Sequence, residues 1–449
     1  MKNQNFGLHE KVATIIAQIA CHENQLPQGS PCSPIISNLI AHLLDVRLAQ
    51  LAKKNGCTYS RYADDITFST NQKKVPAQIT FQNLDDSRVW HIGRSLEKQI
   101  NKIGFKVNHN KTRMFYSNSR QTVTGLVTNK EVNVRTEYYK LARAMANSFF
   151  TKGYYYVPGK LSPCDITEKN ACHPLEVKSI SKLEGILSHI YFTKKFIAPN
   201  TFIKVKDIPC GIKKIFKTLL FLKYFVANTK PIVLCEGKTD IIYIKLAIKK
   251  IIEEYPLLAN KEDEKLNYHI SFLKTDSKNI DEVLELGGGA DKFKHLINTY
   301  KAMINKCPAW SPKNPVIILV DNDKKGEVLQ LAKTKKESPN NTSSNFIYVM
   351  HNLYVLQLPS STAEGDTSIE DLFPQKWLDS TLDGKEFGNN TNGRSDYYGK
   401  VPFAKKVIMQ NFSSVDFSNF KPLLNNLVKV IESFNKLQAG HTNLKKTDS

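Results

Sequence analysis

Two places in the sequence gather acidic side chains in a way that suits phosphoryl chemistry. In Tyr62-Ala63-Asp64-Asp65 two adjacent carboxylates stand at a tight turn, where they repel each other unless a cation lies between them. Carboxylates that hold two divalent ions are what templated DNA synthesis needs, to activate a primer hydroxyl and to bind the incoming triphosphate. In the second place, Val233-Leu234-Cys235-Glu236-Gly237-Lys238-Thr239-Asp240 and Ile317-Ile318-Leu319-Val320-Asp321-Asn322-Asp323 each end an apolar run in acid. Asp321 and Asp323 are two apart, so they face the same side and can share one magnesium ion through oxygen ligands, with Glu236 left as acid or base. Lys238 and Lys292 are candidates to hold a phosphate. Taken singly, an Asp-rich hairpin turn or a set of strand ends and helix caps would read the same way.

These residues need particular elements to present them. Thr58–Tyr62 and Ile66–Ser69 alternate as a hairpin with the two acids at its tip. Helical spacing covers 8–24, then resumes from Ser33-Pro34 after a Leu-Pro-Gln-Gly turn, and again over Arg88–Ile103 up to Gly104. Residues 105–107 and 122–127 read as strands. From 135 to 226 the pattern is helical, broken by a Gly/Pro/Tyr-rich loop at 153–164. Ile232–Cys235, Val316–Val320 and Phe346–Met350 are continuous apolar runs alternating with helices, the pattern of a parallel α/β domain with a boundary near 228. Acids at the C-terminal ends of such strands sit where ligands gather. The tail from Lys436 to Ser449 is polar and reads as frayed.

The 449 residues allow two to four domains, and 41% hydrophobic content excludes a disordered chain. Sixty-three Lys and Arg against 42 Asp and Glu give a net charge of +21, which favours a polyanionic partner. The eight cysteines form no CxxC pair, and Cys164, Cys172 and His173 match no common zinc spacing, so reduced thiols in a cytoplasmic protein are expected. No apolar leader opens the sequence and no membrane association is expected.

Read in order, Leu26-Pro27-Gln28-Gly29-Ser30-Pro31-Cys32-Ser33-Pro34, GCTYSRYADDITF over Gly56–Phe68, Gly104-Phe105-Lys106-Val107-Asn108 with Asn110-Lys111-Thr112, and Val123-Thr124-Gly125 resemble the reverse transcriptases of bacterial retrons. The resemblance covers about 1–225. It implies that Asp64 and Asp65 are catalytic metal-binding acids of a palm, that Gln28 and Gly29 lie by nucleotide and template, and that Lys111 stands near the triphosphate. Arg61 is expected to be structural. The helices after 135 would be the thumb that grips structured RNA, and the tyrosines at 154–156 either stack on bases or pack in a loop. The family's first catalytic acid lies on a strand upstream of the Leu-Pro-Gln-Gly segment, and only Glu10 and Glu23 precede it here. The expectation is an N-terminally truncated palm that polymerises poorly.

The second pair of motifs, over about 229–375, resembles the TOPRIM fold of topoisomerases, primases and certain nucleases. Leu286-Gly287-Gly288-Gly289-Ala290-Asp291-Lys292 fits a glycine turn between the motifs, and Ser368-Ile369-Glu370-Asp371-Leu372-Phe373 fits an acidic segment from which Glu370 or Asp371 would join a second metal. The implied architecture is multidomain α+β and α/β: a partial right-hand polymerase palm (1–130), a helical thumb (131–227), a TOPRIM Rossmann-like parallel domain (228–375) and a small helical extension (376–449). The implied function is RNA-directed DNA synthesis making branched, RNA-linked single-stranded DNA, joined to a nuclease effector with Glu236 as its catalytic acid or base, in antiphage defence. Cofactors would be Mg2+ or Mn2+. Partners would be dNTPs, the structured retron RNA and its DNA product, with a homo-oligomer left open. The alternative is that the second domain binds nucleic acid and catalyses nothing.

Overall fold

The computed structural model describes residues 7–83, 89–123, 125–157, 175–197, 210–263, 265–273, 278–286, 289–322, 326–337, 346–359, 367–388 and 396–447. Asp323, Thr124, Gly287, Gly288, Cys164, Cys172, His173 and most of the 153–164 loop lie outside these residues. The chain divides into two compact units, Met1–Gln121 and Thr122–Ser449.

The first unit is a mixed arrangement of helices α1 (Glu10–Ala20), α2 (Ser33–Lys54) and α3 (Arg94–Lys102) with two hairpins. Strands β1 (Thr58–Tyr62) and β2 (Asp65–Ser69) pair antiparallel, as do β3 (Thr80–Gln82) and β4 (Trp90–Ile92). The helix expected over Arg88–Ile103 therefore begins only at Arg94, because Trp90–Ile92 is taken up by strand pairing. Residues 105–107 form no strand. Leu44, Leu48, Ile79, Leu96 and Ile100 make the small core. Among the described residues α2 alone has the length and hydropathy of a membrane span. It carries Asp45 and Arg47 mid-helix and buries Leu44, Leu48 and Ala52.

In the second unit a short hairpin, β5 (Thr122–Val123) with β6 (Leu126–Val127), leads into α4 (Thr136–Lys152). Next come the hairpin β7 (Tyr155–Val157) with β8 (Leu175–Val177), then α5 (Ile180–Ile197) and α6 (Cys210–Phe221). Tyr155 is fully buried and its hydroxyl donates to the Ser179 carbonyl at 2.9 Å, so it packs rather than stacks on a ligand, while Tyr156 is exposed.

The sheet behind them has five strands. Following β9 (Ile232–Leu234), helix α7 (Lys238–Lys250) and the hairpin β10 (Ala259–Glu262) with β11 (Lys265–Tyr268) lead to β12 (Ser271–Phe272). Helices α8 (Lys278–Leu284) and α9 (Gly289–Ile304) precede β13 (Val316–Val320), and α10 (Glu327–Lys335) precedes β14 (Phe346–Met350) and β15 (Leu353–Gln357). The order is β12-β9-β13-β15-β14, with β12, β9, β13 and β15 parallel. Phe346–Met350, expected as a third strand of the parallel set, is an antiparallel edge strand, and the parallel partner of β13 is Leu353–Gln357. His351 at φ 51 makes the reversal between them.

Successive residues on a strand face opposite ways, and both faces here are covered. Ile232, Leu234, Val316, Ile318 and Val320 share one core with Phe149, Leu187, Phe216 and Phe225 of the helical segment and with residues of α8, α9 and α10. Val233, Cys235, Ile317, Leu319 and Leu356 face α7, the 369–420 segment and the helix Lys421–Thr447. That last helix continues through the tail expected to fray. Polar ties reinforce the first face. Tyr191 and Lys195 both donate to Glu282, Lys217 pairs with Glu285 at 2.6 Å, and these link α5 and α6 to the region of α8. Asn352, with no exposed surface, donates from Nδ2 to the carbonyls of Phe225 (2.9 Å) and Asn314 (2.7 Å), and its Oδ1 accepts from the Tyr300 hydroxyl at 2.9 Å. Asn352→Ala removes three buried hydrogen bonds and leaves the longer ones, Tyr300 hydroxyl to Phe225 carbonyl and Asn228 Nδ2 to Asn314 carbonyl, both at 3.4 Å, so its thermal and urea melts are expected to show a loss of about 1–3 kcal/mol.

Candidate active sites

At the first site the hairpin register pairs Tyr62 with Asp65, so Ala63 and Asp64 are the two turn residues. Ala63 takes φ 51, a left-handed conformation that a residue with a Cβ adopts only under constraint. The constraint is Arg61. Its Nη1 donates to the Ala63 carbonyl at 2.7 Å, while Nε and Nη2 donate to Asp45 Oδ1 and Oδ2 on α2 at 2.7 and 2.8 Å. The Tyr59 hydroxyl also donates to Asp45, at 2.6 Å. The Arg61 hydrogen bonds hold the Asp45 carboxyl below its usual range against the opposing effect of burial. Arg61 is thus structural, as its place beside the turn implies, and it clamps the hairpin to the helix behind it.

Asp64 and Asp65 themselves point into solvent. Gln28 and Gly29 lie on an exposed turn, Gly29 at φ +93, braced by the Ser33 hydroxyl donating to the Pro27 carbonyl at 2.8 Å. Lys111 is exposed in a turn closed by Lys111 and Thr112 N–H groups donating to the Asn108 carbonyl, each at 3.1 Å. Asp45 was not legible as part of this site: a lone acid in an apolar helix gives no sign of its partner.

The second site forms at the C-terminal ends of β9 and β13, which run side by side with Ile318 opposite Leu234. Glu236 lies two residues beyond Leu234 and Asp321 three beyond Ile318, so adjacent strands deliver both. Asp240, buried on α7, accepts from the Gly237 N–H at 2.8 Å. A Cβ at 237 would come within 2.7 Å of Asp240 Oδ1, so the Asp240 carboxyl would have to shift to admit one. Lys292 is nearly buried and donates to the carbonyls of Cys235 (3.2 Å) and Glu236 (3.1 Å). This departs from its expected role of holding a phosphate: the ammonium is spent on fixing the backbone under Glu236. Lys238 remains exposed at the first turn of α7.

The two acids of the 368–373 segment separate. Asp371 Oδ2 accepts from Ser368 N–H (2.7 Å) and Oγ (2.9 Å), capping its own short helix instead of turning toward the other acids. Glu370 is fully buried, with Oε2 paired to Lys400 Nζ at 2.8 Å. Its Oε1 takes no hydrogen bond, although the Tyr243 ring lies near enough for the Glu370 charge, after burial, to raise the phenol pKa. Burial, then the charges of Asp240 and Glu236, push the Asp321 carboxyl up to about 7, with Lys400 opposing and Glu370 adding to the shift. Asp240 and Lys400 were missed as site residues, since in sequence they are only a helix-start acid and one lysine of an extension.

These residues meet part of what a divalent ion asks. Negative charge accumulates around Asp321 and a buried carboxylate oxygen of Glu370 lacks a partner. Yet among the described residues no three His, Cys, Asp or Glu side chains converge closely enough to hold an ion. Asp323 lies outside that set.

With both geometries in view, comparison with known proteins applies to the first part of the chain. Residues 8–137 match the family profile of Reverse transcriptase (RNA-dependent DNA polymerase). This stretch is similar to reverse transcriptases. It includes the Asp64-Asp65 hairpin, Gln28, Gly29 and Lys111. Retron Ec86 reverse transcriptase of Escherichia coli is 33% identical over 185 residues, covering 40% of this chain and 53% of that protein. Retron Mx162 reverse transcriptase of Myxococcus xanthus is 40% identical over 114 residues, or 25% and 23% of the two chains. Retron Ec83 reverse transcriptase of E. coli is 28% identical over 141 residues, or 31% and 40%. The chain spans about half or less of the length of these relatives. No solved structure matches it.

Two outcomes follow from the electrostatics. Asp45, with its lowered pKa, contributes stability that is present above the unfolded value of 3.8 and lost as pH falls through the folded one. Arg61→Ala is therefore expected to cost about 1–3 kcal/mol at pH 7 and little in strong acid, read by melting at both pH values. Asp321 behaves oppositely. Its folded pKa of about 7 lies above 3.8, so folding takes up a proton between those values and stability falls as pH rises. In chelator, Asp321→Asn is expected to melt higher than the parent at pH 8, by at most ~4 kcal/mol, with the gap closing near pH 4.

Proposed function

We propose that the chain couples retron-type, RNA-directed DNA synthesis in its first part to metal-dependent strand cleavage at the sheet of its second. For the first part, the support is the hairpin that holds Asp64 and Asp65 outward, within a stretch that matches reverse transcriptases and is similar to three retron enzymes. Asp64 and Asp65 bind the ions, Gln28 and Gly29 border nucleotide and template, and Lys111 neutralises the triphosphate. The RNA partner is structured and the product is RNA-linked single-stranded DNA.

For the second part, the carrying observation is that the adjacent ends of β9 and β13 deliver Glu236 and Asp321 side by side near buried Asp240 and Glu370, where burial and then these charges push the Asp321 carboxyl up to about 7. So much like charge in a desolvated strand end favours a divalent cation, Mg2+ or Mn2+, as counter-charge. A bound ion supplies charge stabilisation for phosphoryl transfer. Asp321, Asp323 and Glu370 hold it, Glu236 exchanges the proton with the attacking or leaving oxygen, and Lys292 keeps the Glu236 backbone in position. This is the chemistry of a TOPRIM-type nuclease, and in antiphage defence it would serve as an effector restrained by the RNA–DNA product.

The second reading, a nucleic-acid-binding module without catalysis, is favoured by the Lys400–Glu370 pair, which already neutralises one acid, and by the lack of a three-ligand cluster among the described residues. Labelled single- and double-stranded DNA and RNA, incubated with Mg2+ or Mn2+, separate the two. Cleavage that drops by about 10²-fold or more in Glu236→Gln supports the nuclease, whereas binding without cleavage in the parent chain supports the module. For the first part, RNA-templated primer extension by the parent chain is expected to be weak and to vanish in Asp65→Asn; extension that survives the substitution would refute the assignment.

A further inference from the structure

At the other end of β13 from Asp321, the second unit carries an open groove of about 730 Å³. Lys152 ends α4, Gly153 and Tyr154 join it to β7, Lys178 follows β8, and Ala309–Lys313 leads into β13. Phe434, Asn435 and Gln438 of the C-terminal helix close the remaining side. The five residues of β13 separate this groove from the acidic strand ends by roughly 17 Å.

Its chemistry is uniform. Lys152, Lys178 and Lys313 are exposed along it, and no acid lines it among the described residues. Two aromatic rings stand among the lysines. Trp310 is fixed in place, its Nε1 donating to the Phe149 carbonyl at 2.8 Å and its ring packed on Phe149 at 4.9 Å between centroids. Tyr154 is half-buried and meets Tyr156 edge to face. Asn435 and Gln438 add amide donors and acceptors at the rim. Elsewhere on α4 a smaller hollow of about 390 Å³ is lined by Lys140, Arg143 and Asn147 and by no acid among the described residues. Lysines spaced along an open groove bind successive phosphates, rigid aromatic rings accept bases by stacking, and amides at the rim hydrogen-bond base edges.

We infer that this groove is a binding site for single-stranded nucleic acid, separate from the acidic strand ends. An open cleft of this size accommodates one or two nucleotides. No carboxylate that could bind a cation lies among its described lining residues. The binding site stands whether or not the acidic site cleaves.

Photo-cross-linking tests it independently of catalysis. Oligonucleotides carrying 5-iodouracil, as DNA and as RNA, are irradiated with the full chain in chelator, and cross-linked peptides are identified by mass spectrometry. The expected adducts fall on the peptides containing Tyr154 or Trp310. In the charge-reversal pair Lys152→Glu with Lys313→Glu, whose side chains are exposed, their yield is expected to drop by about fivefold or more while melting temperature stays unchanged. Raising the salt from 50 to 200 mM should reduce the same adducts in the parent. A preference for the DNA or the RNA probe identifies the strand. Adducts confined to other peptides, or a yield unaltered by the reversal in a variant that melts normally, would overturn the inference. Tyr154→Ala guards against loss of fold in the double variant, because its ring is not part of the buried core and its effect on Trp310 adducts reads stacking alone.

Discussion

Strand β13 has no residue facing solvent, and the second unit is arranged around that constraint. Each of Val316–Val320 must be apolar, and each side of the strand must be covered by something else in the chain. The helical segment covers one side, with α8–α10, and α7 with the C-terminal helix covers the other. A strand packed so tightly cannot slide, so its last peptide sits at a fixed height beside the end of β9. The acids that follow both strands are therefore held together by apolar packing that takes no part in chemistry. Their mutual repulsion is not relieved by movement and adds to the larger effect of burial in raising the Asp321 pKa.

The first unit handles like charges differently. Asp64 and Asp65 lie in water, where screening weakens their repulsion, and the force that places them acts from behind. The Arg61 fork reaches Asp45 on one side and the Ala63 carbonyl on the other, converting the position of α2 into the shape of the turn. One guanidinium thus takes the part that a whole buried strand takes in the second unit. The difference has a physical origin: a two-stranded hairpin over a small core has too little apolar surface to immobilise a turn by packing alone.

The acid-tipped hairpin was legible because period-two alternation and a tight turn are local signals, and Ile232–Leu234 and Val316–Val320 because unbroken apolar runs of that length are buried strands. Strand direction was not legible. Phe346–Met350 and Leu353–Gln357 are equally apolar, and only the reversal at His351 and the pairing with β13 decide which is parallel. The strand Trp90–Ile92 was read as helix because apolar spacing over so short a stretch fits both periods. Charged residues were hardest. Lys292 looked like a phosphate ligand and is spent on two carbonyls, while Asp45, Asp240 and Lys400 acquire their roles from partners 16, 81 and 30 residues away or from neighbouring charges that no local pattern encodes.

The shared core of the second unit also bears on how such a chain can change over time. Ile232, Leu234 and Ile318 lie in the same apolar body as Phe149, Leu187 and Phe216, so a gene break near residue 228 would leave both pieces with a bare greasy face. Recombination can therefore exchange the sheet only together with the helices that precede it. A transfer that keeps this core whole carries the block from the 130s onward, so the strand ends would travel with the helical segment that covers the sheet.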